Sequence, residues 1–177
     1  IQEIAVFPLN GALLLPNSNL PLNIFEDRYL SMIDYSLASN KHIGMIQFEN
    51  QENIKLYNIG CLGKITSFNE TPDKRYIINL LGTSKFEIVK EVTTKKSFRI
   101  FNIEIIDDKN YHDLNKSFDR KILTSSVRNY FQKIKIDIDL DYIKKINNEE
   151  LINTISVVCP FENNEKQMLL ESKNIND

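Results

Sequence analysis

The spacing of apolar residues changes once along this chain, and that change limits what it can fold into. From Ile4 to Ile106, apolar residues come in short runs broken by Pro, Gly and Asn, the pattern of short strands joined by turns. After about Asp113 the spacing becomes helical: Phe118, Ile122, Val127, Tyr130, Phe131 and Ile134 follow a helical period, and no Gly or Pro intervenes before Pro160. The expected molecule is α+β, with a β-rich subdomain over residues 1–110 and a helical subdomain over 111–177.

In the first region, Ile4 to Leu9, Ala12 to Leu15 and Leu20 to Phe25 are the opening apolar runs. Pro8, Pro16 and Pro21 cannot donate to a central ladder, so they belong at strand ends or edges, and Asn10 to Asn19 is expected to be an irregular, exposed loop. One helix interrupts the strands near Asp27 to Ser39. There Leu30, Ile33 and Leu37 recur at helical spacing, Tyr29 and Met32 widen the stripe, and Glu26 and Asp27 oppose the positive end of the dipole. Asn40 followed by Gly44 supplies the stop. Further strands follow at Ile43 to Phe48, at Leu56 to Phe68 with kinks near Gly60 and Gly63, at Tyr76 to Leu81 and Phe86 to Val92 around Gly82, and at Phe101 to Ile105. Strands in this number, with so little helix, predict a small closed or half-closed barrel.

The stretch carrying Phe118 to Ile134 reads as one long helix. Asn147 with Glu150 has the spacing of a cap side chain and a third-position acid, opening a helix through Val158, and Asn164 with Gln167 repeats the pattern beyond Pro160. Leu151, Ile155 and Val158 are expected to pack against the long helix as a small bundle. Cys61 and Cys159 are far apart, each in an apolar run, and read as buried free thiols.

Several function classes drop out. Twenty-two basic and 24 acidic residues give a formal net charge of −2, spread along the chain, so no large field draws in polyanions. The one basic cluster, Lys95, Lys96 and Arg99 around Phe98, reads as a solvated turn. No leader opens the sequence and its apolar runs are too short to span a bilayer, so the expected location is cytoplasmic, with no membrane partner. The five glycines never group into a phosphate-cradling loop, and His42 and His112 lack metal-ligand neighbours. Ser84 and Lys85 point to opposite faces of a strand, Ser125 has only Ser126 beside it, and the pairs Asp107–Asp108 and Asp137–Asp139 fit turns or caps. No catalytic group, cofactor or metal is therefore expected, and a binding module remains.

Specific residues point to a family. Phe7-Pro8-Leu9, Leu14-Leu15-Pro16, Leu20-Pro21-Leu22-Asn23-Ile24-Phe25-Glu26-Asp27-Arg28-Tyr29, Met32 and Ile43-Gly44-Met45 come in the order of the opening of the amino-terminal substrate-binding domain of Lon-family ATP-dependent proteases, which they resemble. Asn58-Ile59-Gly60-Cys61, Pro72-Asp73, Leu81-Gly82-Thr83-Ser84-Lys85-Phe86 and Glu165 to Glu171 extend the resemblance over nearly the whole chain. It departs at Asn17, which keeps a turn usually made by Gly, at Lys74, which replaces a turn Gly, and at Ser84-Lys85, which replaces an arginine-rich pair.

The resemblance implies a β pseudo-barrel like that of PUA domains followed by a helical bundle, and a role in binding unfolded or tagged polypeptides for an ATP-dependent protease. Without ATPase or protease motifs, and with the family's closing segment present, a stand-alone recognition protein is expected rather than a fragment. Candidate substrate contacts are Leu13, Leu14, Leu15 and Pro16 of the proline-rich loop, with Phe48 and Phe68 at strand ends. The family signature Phe25, Glu26, Arg28 and Tyr29 reads as architectural: Phe25 ends a strand in the core, Glu26 starts the helix, Tyr29 packs beneath and Arg28 pairs with a carboxylate. The rival readings are an RNA-binding module, implied by the PUA-like fold, and a hydrolase with an unrecognised site.

Overall fold

The computed structural model describes residues 2–50, 55–107, 119–133, 135 and 140–172. Its strands are β1 (Gln2–Pro8), β2 (Asn19–Ile24), β3 (His42–Ile46), β4 (Ile59–Glu70), β5 (Tyr76–Val92) and β6 (Arg99–Ile105). They form one sheet in the order β2-β5-β4-β3-β1-β6, and a further β5–β6 pairing closes β5, β4, β3, β1 and β6 into a ring. The contacts divide the chain into two compact units, one of residues 1–108 with 161–171 and one of 109–160 with 172–177. No helix among the described residues is long and apolar enough to cross a membrane.

The unusual strand is β5, 17 residues long. The sequence reading splits it into two strands at Gly82, but the backbone runs through. Its first half, Tyr76 to Leu81, pairs with β2, and its second half, Phe86 to Val92, pairs with β6, both antiparallel. Gly82 sits at the changeover because the segment carrying Leu15 crosses there: a β-carbon on Gly82 would collide with the Leu15 carbonyl oxygen. The Asn17 N–H donates to the Gly82 carbonyl and the Gly82 N–H to the Ser18 carbonyl, each at 2.9 Å. The expected bulge near Gly63 is present as a register shift beside Leu62, whereas Gly60 pairs regularly with Phe86.

The loop between β1 and β2 lies on the surface only in part: Gly11 and Asn17 are exposed, but its middle turns inward. Leu13, Leu14 and Leu15 are 5%, 2% and 1% exposed and join the main core with Phe7, Ile24, Met32, Ile33, Ile65 and Leu80. Burying each leucine contributes about 1.5–3 kcal/mol, which holds an irregular segment through the barrel interior. The turn beyond it satisfies itself: the Leu15 N–H donates to Ser18 Oγ at 2.9 Å, and that hydroxyl donates back to the Leu15 carbonyl at 2.7 Å. Asn17 has φ 61, so it keeps the left-handed turn expected of it, and Lys74, where the family has a turn Gly, has φ 62.

Helix α1 (Asp27–Leu37) matches the expectation and buries Tyr29, Met32, Ile33 and Ser36. It ends through Lys41 at φ 60 and the Asn40 side chain, which accepts from the His42 N–H at 3.0 Å; Gly44 instead lies inside β3. Helix α5 (Asn163–Glu171), read from sequence as part of the bundle, packs on the barrel. Gln167, 2% exposed, donates to the Ile59 carbonyl at 3.0 Å and accepts from Gln47 Nε2 at 3.2 Å. Asn164 does not cap this helix. Glu165 does that work, accepting from the Glu162 N–H at 2.8 Å.

In the second unit the expected long helix is divided into α2 (Arg120–Lys133) and α3 (Leu140–Lys145), with Lys135 between them at φ 56. Helix α4 (Asn148–Val158) begins as expected, with Asn147 Oδ1 accepting from the Glu150 N–H at 2.8 Å. The small core joins Ile143, Ile146 and Leu151 with Leu123 and Ile155, whereas Val158 and Ile122 are exposed. Arg120 ties the unit together, donating to Asn148 Oδ1 at 2.7 Å and to the Ile143 and Ile146 carbonyls at 2.5 and 2.7 Å, where α3 leaves acceptors unpaired. His112, Phe118, Ile134, Asp108, Asp137 and Asp139 lie outside the described residues.

Candidate functional site

The closed ring leaves a seam. Strand β6 pairs with β1 only as far as Val6, opposite Arg99, and β2 pairs with β5 on one side only among the described residues. Between the end of β1 and β2 lies an open groove of about 340 Å³ whose lining is mainly but not wholly apolar. Its walls are Phe7, Pro8 and Leu9 on one side and Leu22, Asn23 and Ile24 on the other, with Phe25, Glu26, Arg28 and Tyr29 at the start of α1, and Phe48.

Each wall is fixed from below. Phe7 stacks at a tilt on Tyr29 with ring centroids 4.3 Å apart, and Tyr29 is buried, which raises its hydroxyl pKa above the ordinary range. The Arg28 guanidinium lies 4.4 Å from the Tyr29 ring centroid and donates to Glu26 Oε2 at 3.0 Å through Nε. Both charges are half exposed, so the pair contributes little stability and serves to hold a neutral, polar lip on the groove. The Glu26 carbonyl accepts from the Tyr29 and Leu30 N–H groups, while its side chain makes no capping bond. Phe48 is held by its N–H, which donates to Asn10 Oδ1 at 2.9 Å, and by a bridge to Leu56.

The sequence candidates separate. Phe48 lines the groove, but Leu13, Leu14 and Leu15 cannot touch a partner because they fill the barrel, and Pro16 beside them is half-buried in the turn. Phe68 is exposed at 42% but stands elsewhere, edge-on to Tyr76 at 4.8 Å in the β4–β5 hairpin. The signature block also needs correction at one residue. Tyr29 packs beneath and Arg28 pairs with a carboxylate as expected, but Phe25 is 66% exposed and sits on the groove, not in the core.

Chemistry elsewhere is occupied. Arg99 makes a bidentate pair with Glu91, both contacts at 2.7 Å, Lys96 covers the Tyr35 ring at 4.4 Å, and Phe98 is buried, so these members of the basic cluster engage internal partners, while Lys95 is exposed. The Ser125 hydroxyl donates to the Ile122 carbonyl and has no base at hand in that bond. Cys61 and Cys159 are buried free thiols, and burial pushes Cys61 up to about 12, far from nucleophilic use at neutral pH.

Comparison with known proteins supplies the remaining finding. The family described as the ATP-dependent protease La (LON) substrate-binding domain matches residues 3–177. A Lon protease of Buchnera aphidicola subsp. Acyrthosiphon pisum is 27% identical over 186 residues, covering 98% of this chain and 23% of its own length. One from Flavobacterium johnsoniae is 26% identical, covering 95% of this chain and 22% of its own length. The chain thus spans less than a quarter of these curated relatives. Among solved structures, a Lon N-terminal domain protein from Xanthomonas campestris superposes with a TM-score of 0.69 at 16% identity, covering 98% of this chain and 92% of that one. The N-terminal domain of Mycobacterium avium complex Lon protease gives 0.67 at 15%, covering 97% and 90%. These likenesses show a shared fold.

Proposed function

Because this chain belongs to the ATP-dependent protease La (LON) substrate-binding domain family, we propose that it recognises unfolded polypeptide segments through the seam groove and takes no part in bond cleavage itself. The observation that carries this reading is the apolar groove with Phe25 exposed over it. Unfolded chains differ from folded ones in offering large apolar side chains, and a groove lined by Phe7, Leu9, Leu22, Ile24, Phe25 and Phe48 matches that feature without demanding a sequence. The neutral Glu26–Arg28 lip adds no charge preference.

The reading is tested by fluorescence anisotropy with a labelled, reduced and permanently unfolded test protein. Phe25→Asp places a charge where the partner must shed water, and binding is expected to weaken by about 1–3 kcal/mol, the loss of a central anchor. Phe25 is exposed, so the variant keeps its melting temperature. Phe68→Asp removes an exposed aromatic outside the groove and leaves affinity unchanged. If Phe68→Asp abolishes binding and Phe25→Asp does not, the hairpin is the capture surface and the groove is not.

A further inference from the structure

Whether the groove takes a side chain alone or a length of backbone follows from how its walls are built. Consecutive residues of β2 line it, Leu22, Asn23 and Ile24, and so do consecutive residues at the end of β1 and just beyond, Phe7, Pro8 and Leu9. Side chains alternate between the faces of a sheet, so a cleft lying on one face meets every second residue. A cleft that meets successive residues approaches the strand edge-on.

The ladder identifies which backbone groups stand on that edge. The Gly82 N–H donates to the Ser18 carbonyl, one residue outside the Asn19↔Leu81 pair, which makes that pair the kind that exchanges no bonds of its own. By alternation, the backbone groups of Asn19, Pro21 and Asn23 all turn away from β5. Pro21 has no N–H. Within the groove the β2 edge therefore presents one donor, at exposed Asn23, and the Asn23 carbonyl as an acceptor, with the Pro21 carbonyl next along the edge. On the facing wall, the Leu9 N–H is used toward the Ile46 carbonyl of β3, so Pro8 is the residue turned to the seam, again without a donor.

We propose that the groove accepts an extended, unfolded segment as an added strand on the β2 edge, its backbone bonded to Asn23 and the Pro21 carbonyl and one large apolar side chain seated beside Phe25 and Phe48. This deepens, and rests on, the reading of the groove as a polypeptide site. It states what the occupant must carry: an unpaired backbone N–H and an apolar side chain in the same extended stretch, a combination that folded proteins bury and unfolded ones expose. The prolines have a matching role. They remove donors from both edges, which blunts the seam against long pairing with another copy while leaving room for a short guest.

The test uses the full chain and a fluorescein-labelled peptide with a central Phe flanked by Leu and Ser, together with a set in which each backbone N–H in turn is methylated. Methylation at alternating positions is expected to weaken binding by about tenfold, and the positions between are expected to be silent. Asn23→Pro, which removes an outward-facing donor and fixes φ at a strand position, is expected to lose about tenfold. Should Asn23→Pro fail to fold, the methylated peptides alone decide. A flat methylation series with Phe25→Asp still defective overturns strand addition and leaves side-chain capture standing. A flat series with Phe25→Asp also binding normally removes both.

Discussion

Phe25 shows how a single side chain can be recognised correctly and placed wrongly. It belongs to the block that most resembles the family, and the economical reading puts an aromatic at a strand end into the core. The alternation of β2 says otherwise: Leu20, Leu22 and Ile24 share the inward phase, so the next residue falls on the opposite side, and Phe25 is exposed at 66%. The three leucines at 13–15 carry the converse signal. A consecutive apolar run with no strand partner is a chain passing through a core, not a surface loop. Cys61 lends itself to a residue-scale prediction. Burial raises its thiol to about 12, above the usual unfolded value of roughly 8.5, so the folded state holds its proton more tightly. That contribution is fully present below the unfolded pKa and is lost as pH rises from there through about 12. Alkaline unfolding curves of the native chain are expected to fall more steeply over this window than those of Cys61→Ala; equal slopes would show that the thiol is not desolvated.

At the scale of elements, the strands and α1 were legible because period and turn residues agree, and the Asn147 cap was legible because its chemistry is local. What sequence could not supply were the places where a distant segment decides. Gly82 looks like a turn until the Leu15 carbonyl is found against it, and then one strand of 17 residues replaces two. Lys135 breaks the expected long helix with a left-handed residue that no Gly or Pro announced. Helix α5 carries a plain helical pattern, and only the Gln47–Gln167–Ile59 hydrogen bonds reveal that it seals the barrel. Gln167→Ala removes the donor to the buried Ile59 carbonyl and one of the two acceptors of the Gln47 amide, which keeps its bond to the Asn163 carbonyl at 3.1 Å, so we expect it to lower stability to chemical denaturation by about 1–3 kcal/mol. A loss within a few tenths of a kcal/mol would mean that α5 adds little to the barrel.

For the whole molecule, the five-stranded ring closes and β2 stays outside it. Strand β2, paired with β5 alone among the described residues, leaves a cleft between itself and the end of β1 while the ring keeps its core intact. Stability and recognition are thus assigned to different parts of one barrel: Leu13 to Leu15 and Gly82 hold it together, and Phe25, Asn23 and Phe48 face the guest. Amide shifts of the isotopically labelled chain, followed by NMR while an unfolded polypeptide is titrated in, test this most directly. The perturbed amides are expected to gather at Phe7 and Leu9, from Leu22 to Tyr29, and at Phe48, with the β4–β5 hairpin tip around Phe68 unmoved. Shifts confined to that hairpin or to helices α2 to α4, with the groove silent, would contradict it.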